Sequence, residues 1–125
     1  MEVPILKQGG YLIATIQAAL SDADLIKLQD ALVAQVGKYR SKGVIIDVTA
    51  LDVMDSFATR TLRSIAHMIK LRGAETVICG IQPEVAFAMV QLGLTLEGIS
   101  TALDLEEGLA LLNKRTLERE SPRGR

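Results

Sequence analysis

Residues 43–58 have the sequence GVIIDVTALDVMDSFA, and this stretch indicates the fold. Its first part, residues 43–48, is a short run rich in β-branched side chains and apolar on both faces. That pattern is typical of a central strand covered by helices on both sides. The loop that follows leads into a segment with helical spacing. A buried strand followed by a helix is the repeating unit of an α/β domain with a parallel sheet.

The elements that follow this stretch repeat the pattern. Residues 56–71 are predicted to form a helix that ends before Gly73, because apolar residues recur on one stripe at Ala58, Leu62, Ile65 and Ile69. Residues 76–80 form a second short run that is apolar on both faces. Both apolar strands are therefore expected in the middle of the sheet, fully covered by other elements.

The N-terminal part of the chain predicts a β-hairpin and an amphipathic helix. Residues 4–8 and 11–16 have strand character and are joined by Gly9 and Gly10, since glycine supplies the positive φ of a tight turn. Ser21 and Asp24 have the spacing of a capping box, which marks a helix start. The helix is expected to continue toward Tyr39, with the apolar residues Leu25, Leu28, Leu32 and Val36 at helical spacing.

The C-terminal part predicts two helices and a weak strand. Pro83 is suited to a first helical position, and the helix is expected to end before Gly93. Residues 95–99 have only a weak edge-strand signal, and Asp104 is a suitable cap for a last helix. Residues 114–125 are nearly all polar and are predicted to be a disordered tail.

The element order is therefore β-β-α-β-α-β-α-(β)-α, which predicts an α/β fold. Its central sheet is expected to be mostly parallel, with an N-terminal hairpin and right-handed crossovers. The chain of 125 residues is 49% hydrophobic, enough for one core without disulfides or metal. We predict one domain over residues 3–113, followed by the tail over residues 114–125.

Composition excludes several classes of function. The formal net charge of -1 provides no general positive field for nucleic acid. Cys79 and His67 are single residues of their types, so no disulfide, zinc or haem set is available, and no cofactor is predicted. No apolar run reaches the roughly 20 residues of a membrane span, and the N-terminus lacks the pattern of a signal peptide. We predict a cytoplasmic protein with no membrane or nucleic-acid partner.

The loop after the first central strand is the candidate functional site. Working residues in α/β sheets usually lie beyond the carboxyl ends of the strands. Asp55 or Ser56 is expected at the start of the second helix, where unpaired backbone N–H groups point outward. A phosphoryl group on Ser56 would be tolerated by the helix dipole and would repel a docked partner. The structural alternative is that this pair is only a helix cap.

Residues around Ser56 are candidates for binding a protein partner. Met54 and Phe57 are large apolar residues beside a polar loop, so either could be an exposed anchor. The alternative for both is packing into the core. Arg60 lies one turn after Ser56 and could face a phosphate or an acidic partner, although a solvated helix face is the commoner arrangement. Asp55 completes this set of candidate partner-binding residues.

An enzymatic function is the third hypothesis. Asp47, Asp52 and Ser56 could be combined into an acid/base or Mg²⁺ site. The sequence contains no Gly-rich phosphate loop and no base near a nucleophile that would accompany them. We therefore predict a binding protein that is not an enzyme.

The stretch LDVMDSFA at residues 51–58 and the strand VIIDV at residues 44–48, in the β-β-α-β-α order, resemble STAS domains, the anti-sigma-factor antagonist family. The resemblance covers residues 3–113 and implies the STAS, or SpoIIAA-like, fold. Phe57 and Ala58 replace the small residue and glycine that follow the serine in sporulation-type antagonists. With no sensory domain in the sequence, the resemblance is to the RsbS-type branch, whose members are single-domain stressosome scaffolds.

The resemblance implies a function and a set of partners. The family's phosphorylated serine corresponds to Ser56, and the acidic residue before it corresponds to Asp55. The protein would assemble with RsbR-type STAS paralogues, hold an RsbT-type switch kinase and release it when Ser56 is phosphorylated. An RsbX-type phosphatase and self-association into a homo-oligomer are further implied. A second function remains open, that of a STAS-type accessory subunit of a lipid or anion transporter.

Overall fold

The computed structural model describes residues 2–120, with five strands and four helices in these residues. The sheet has the order β1-β2-β3-β4-β5, in which β1 is antiparallel to β2 and the other neighbours are parallel. The elements along the chain are β1 Ile5–Gln8, β2 Tyr11–Thr15, α1 Asp22–Tyr39, β3 Gly43–Asp47, α2 Ser56–Leu71, β4 Glu75–Cys79, α3 Pro83–Gln91, β5 Ser100–Ala102 and α4 Leu105–Glu120.

The two apolar strands lie inside the sheet, as the sequence predicts. β3 has β2 and β4 as neighbours, and β4 lies between β3 and β5. Val44, Ile45 and Ile46 are fully buried, although successive side chains of a strand point to opposite faces. Both faces of β3 are therefore covered, which is why an uninterrupted apolar run marks a central parallel strand.

Helices cover the two faces of the sheet unequally. The apolar stripes of α1, α2 and α3 pack on one face in a large cluster that includes Leu32, Ile65 and Val85. Helix α4 alone covers the other face, where Leu112 packs with Ile45 of β3. Each helix follows one of the parallel strands β2 to β5, and these strands all end at the same edge of the sheet. All four helices therefore begin at this carboxyl edge.

The fifth strand is present, but not at the predicted position. Residues 95–99 form a turn, in which the N–H of Ile99 donates to the Leu96 carbonyl and Gly98 has a φ of +81°. The strand follows at Ser100–Ala102 and pairs with β4. The apolar residues Leu96 and Ile99, which suggested a strand, instead pack against the large core cluster from the turn.

Helix α4 is longer than predicted. It continues through Glu120, so residues 114–120 are helical where the sequence predicts a disordered tail, and residues 121–125 lie outside the described part of the chain. Thr116 is buried and is within hydrogen-bond distance of the Tyr11 hydroxyl. The Arg119 guanidinium donates to the Gly73 carbonyl at 2.9 Å. The polar side chains of this segment thus pack against the domain, which explains the continued helix.

Candidate functional site

The loop from β3 to α2, residues 48–55, lies at the carboxyl edge of the sheet and is ordered by hydrogen bonds. Asp47 accepts from the backbone N–H of Thr49 at 2.9 Å and from the Thr49 hydroxyl at 2.6 Å. The side-chain amide of Gln82, the N-cap of α3, donates to the Thr49 carbonyl at 2.7 Å. Asp47 therefore acts as a turn residue, and α3 supports the loop from its other side.

The structure decides which residue caps α2. Asp55 is the N-cap, and its carboxylate accepts from the backbone N–H of Ala58 at 2.8 Å. Ser56 is the first residue of the helix and is half-buried. Within residues 2–120 its hydroxyl makes no hydrogen bond, so it is not part of the cap. The capping alternative therefore describes Asp55, and the Ser56 hydroxyl remains available for modification.

This division of roles predicts different stabilities for two variants. We expect Asp55→Ala to lower the free energy of unfolding by about 1 kcal/mol, because the Ala58 N–H loses its acceptor. Ser56→Ala should change it by less than about 0.5 kcal/mol, since it removes no hydrogen bond. Urea denaturation of both variants beside the parent checks this. Equal losses, or a larger loss for Ser56→Ala, would contradict the assignment of the cap.

The candidate partner-binding residues do not all reach the surface. Met54 is only 6% exposed and belongs to the large core cluster, so its prediction as an exposed anchor is wrong. Asp55 and Arg60 are exposed, and Phe57 is half-buried. The apolar side chain that the loop does present is Val53, which is 62% exposed. Because Val53 and Met54 are adjacent apolar residues, the sequence alone does not show which of them is exposed.

Asp47 and Asp52, the carboxylates of the enzymatic hypothesis, have different surroundings. Asp47 is held by Thr49, and Asp52 is exposed in the loop. Across residues 2–120 no group of three or more His, Cys, Asp or Glu side chains is arranged to hold a metal ion. Burial, with a smaller contribution from the charges of Asp47 and Asp104, raises the pKa of the Cys79 thiol to about 12. Cys79 is therefore a buried core thiol that stays protonated at neutral pH.

The arrangement at this edge corresponds to a known family. Residues 2–108 match the STAS domain family. The chain belongs to that family. Its five-stranded mixed sheet with four helices is the STAS fold. The loop of residues 48–55 that leads to Ser56, here called the Ser56 loop, connects β3 to α2 in this fold.

Two solved structures resemble this STAS domain in both fold and sequence. A serine-to-glutamate variant of RsbS from Moorella thermoacetica is 38% identical, with a TM-score of 0.79, and covers 94% of this chain and 97% of that one. A second chain, from a solved structure of the stressosome, a signal integration and transduction hub, is 35% identical. Its TM-score is 0.73, with 90% of this chain and 97% of that chain covered.

A sequence relative connects the STAS domain to a longer protein. RsbRA of Bacillus subtilis, an RsbT co-antagonist, is 31% identical over 83 residues, which are 66% of this chain and 30% of the relative. The chain spans about a third of the length of the RsbR-type relatives that it matches. In residues 2–120 no helix has the length and apolar character needed to cross a membrane.

Proposed function

We propose that this STAS domain is a phosphorylation-switched stressosome scaffold and anti-sigma-factor antagonist. In this function it holds an RsbT-type switch kinase, and phosphorylation of Ser56 releases that kinase. The observation that carries the proposal is the position of Ser56. Its half-exposed side chain stands at the first position of α2, beside an exposed loop, while Asp55 supplies the cap. A phosphoryl group can be added there without removing any contact on which the fold depends.

The local charges explain how such a group would act as a switch. The N-terminus of α2 carries a partial positive charge and outward N–H groups, which tolerate a phosphoryl group. Asp52 and Asp55, both exposed, precede Ser56 in the loop. Phosphorylation adds about -1.5 to -2 charge next to these carboxylates, and a partner docked there would meet a strongly negative surface. The domain keeps its fold while the partner loses affinity.

The relatives support this function. The structure of an RsbS variant carries a serine-to-glutamate change, and RsbRA is named as a co-antagonist of RsbT. We infer that this chain likewise assembles with RsbR-type paralogues and with copies of itself. An RsbX-type phosphatase would reverse the modification. These relatives favour stress signalling over the transporter-subunit function, and they favour a non-catalytic binding protein in the cytoplasm.

Phosphorylation at a single serine is the direct test. After incubation with an RsbT-type kinase and ATP, mass spectrometry should find one added phosphoryl group, located on Ser56. Ser56→Ala should take up none. Ser64→Ala, which changes an exposed serine further along the same helix, should be modified like the parent. Modification of Ser64 or another residue instead of Ser56 would overturn the proposed switch.

A further inference from the structure

Charged residues are segregated between the two edges of the sheet. The carboxyl edge comprises the loops after β2, β3, β4 and β5 and the first turns of the four helices. Within residues 2–120 this edge contains no Lys or Arg. Its acidic residues are Asp22, Asp24, Asp47, Asp52, Asp55, Glu84, Asp104, Glu106 and Glu107.

The opposite, amino edge is basic and concave. The ends of α1, α2 and α4 surround an open cavity of about 540 Å³. Four cationic side chains line it, namely Arg40, Lys42, Arg72 and Arg119. The hydroxyl residues Ser41 and Thr116, both buried, also line this basic cavity. Lys38 and Lys70 lie nearby in the last turns of α1 and α2.

Two of the cations that line the cavity form no salt bridge within the part of the chain that the structure describes. Arg119 pairs with Glu75 at 3.1 Å, and Lys70 approaches the same carboxylate at 3.8 Å. Across residues 2–120, Arg40 and Arg72 form no salt bridge. The Arg72 guanidinium instead lies against Gly37, where a Cβ atom would overlap it. The absence of a side chain on Gly37 thus leaves room for Arg72 at the wall of the cavity.

Helix dipoles account for only part of this segregation. Acids near helix N-termini and bases near C-termini are each favourable, because each helix end carries about half an elementary charge. Four parallel helices therefore offset roughly two charges at each edge. The nine acidic residues of the carboxyl edge exceed that offset, although Lys27, one turn into α1, acts on Asp24, and Arg60 lies one turn past Ser56. Each edge therefore presents a net charge to a neighbouring molecule.

We propose that copies of this chain associate head to tail, with the acidic start of α4 in one copy docked in the basic cavity of the next. A two-fold symmetric contact through either edge would bring like charges together, whereas a head-to-tail contact pairs opposite charges. Head-to-tail association rests on the scaffold role proposed above. It specifies how the copies of the scaffold meet, and it does not depend on the kinase.

The start of α4 is the acidic segment that leaves Ser56 accessible. Asp104, Glu106 and Glu107 lie on the side of the sheet covered by α4, whereas α2 and its Ser56 loop lie on the other side. Leu103, which is 75% exposed, projects from the same segment. One copy can then bind the next through α4 and a kinase through the Ser56 loop.

A charge-swap experiment tests the head-to-tail contact. Sedimentation velocity of the parent should show concentration-dependent oligomers at about 0.05 M salt that weaken at about 0.5 M, where screening shortens the electrostatic range. An amino-edge variant with Arg40→Glu and Arg72→Glu should associate at least about tenfold more weakly, because attraction becomes repulsion. A carboxyl-edge variant with Glu106→Lys and Glu107→Lys should behave in the same way. Mixing the two variants should produce mixed oligomers. The unchanged α4 start of one variant fits the unchanged cavity of the other, and the two reversed surfaces also carry opposite charges.

Controls make each outcome decisive. Lys114→Glu changes the net charge as Arg72→Glu does, but Lys114 is exposed in the middle of α4, away from both edges, and this variant should associate like the parent. Glu107 also accepts from the backbone N–H of Leu103, so the single change Glu106→Lys, which keeps that bond, should weaken association in the same direction. A parent that is monomeric at low salt, variants that associate like the parent, or folded variants that do not pair would each overturn the proposal. Kinase capture by the parent tests the proposed function separately, because a parent that associates with itself but does not capture the kinase contradicts only the kinase-binding function.

Discussion

Ser56→Asp should weaken capture of the RsbT-type kinase by at least about tenfold, which corresponds to about 1.4 kcal/mol of binding free energy. A carboxylate at this position joins the exposed Asp52 and Asp55 in facing the docked partner. We expect the docked kinase surface to be acidic or apolar. A like charge across an interface, or a buried charge without a partner, costs several kcal/mol, so the tenfold loss is a lower bound. Surface plasmon resonance or a pull-down titration with the kinase measures it.

The loss should come from the interface and not from the fold. An acidic residue in the first turn of α2 is favourable to the helix by about 0.3–1 kcal/mol, so the variant should keep its thermal stability. Ser56→Ala should capture the kinase like the parent. Ser64→Asp places the same charge on an exposed position of the same helix and should also leave capture unchanged. If Ser56→Asp captures the kinase as well as Ser64→Asp does, the switch assignment is wrong.

Gly80→Ala should lower the free energy of unfolding by more than about 2 kcal/mol, since backbone strain and overpacking add at this position. Gly80 follows β4 with a φ of +83°, and its backbone lies against the loop that leads to Ser56. A Cβ atom there would overlap the Thr49 hydroxyl and come within 3.0 Å of the Thr49 Cα atom. Chemical denaturation of the variant and the parent gives the difference.

Gly98→Ala is the matched control for this prediction. Gly98 has nearly the same φ, +81°, but a Cβ atom there would meet nothing within 4 Å. Its substitution should therefore cost only the backbone strain, about 1–2 kcal/mol. The double variant Gly80→Ala/Thr49→Ala should lose less free energy of unfolding than the sum of the losses of the two single variants, because the overlap with the Thr49 hydroxyl is removed. Equal losses for Gly80→Ala and Gly98→Ala would show that contact with Thr49 has no energetic role.

Patterns that repeat along the chain predicted the main elements of the fold. The two-sided apolar runs placed β3 and β4 inside the sheet, and the apolar stripe from Ala58 to Ile69 predicted α2. These patterns are informative because the apolar residues of a buried strand or helix recur in the sequence with the period of that element. The resemblance carried by residues 51–58 indicated the family to which the chain belongs.

Elements whose stability comes from distant contacts were predicted less well. β5 consists of three residues whose pairing depends on β4, and the turn before it carries the more apolar sequence. The last turns of α4 look like a polar tail until Arg119 meets Glu75 and the Gly73 carbonyl. The two contacts of Arg119 have no local sequence signal, since Arg119 is more than 40 positions from both Gly73 and Glu75 in the chain.

At the candidate site, the sequence by itself determined that an acidic residue and a serine stand at the start of α2, after a central strand. Only the tertiary structure decided that Asp55 forms the cap while Ser56 stays available, and that Met54 is buried while Val53 is exposed. Both choices depend on how the loop lies against Thr49, Gln82 and the core. The basic cavity likewise exists only in the folded chain. Its cations come from the ends of three helices, and parallel packing is what brings those ends to one edge.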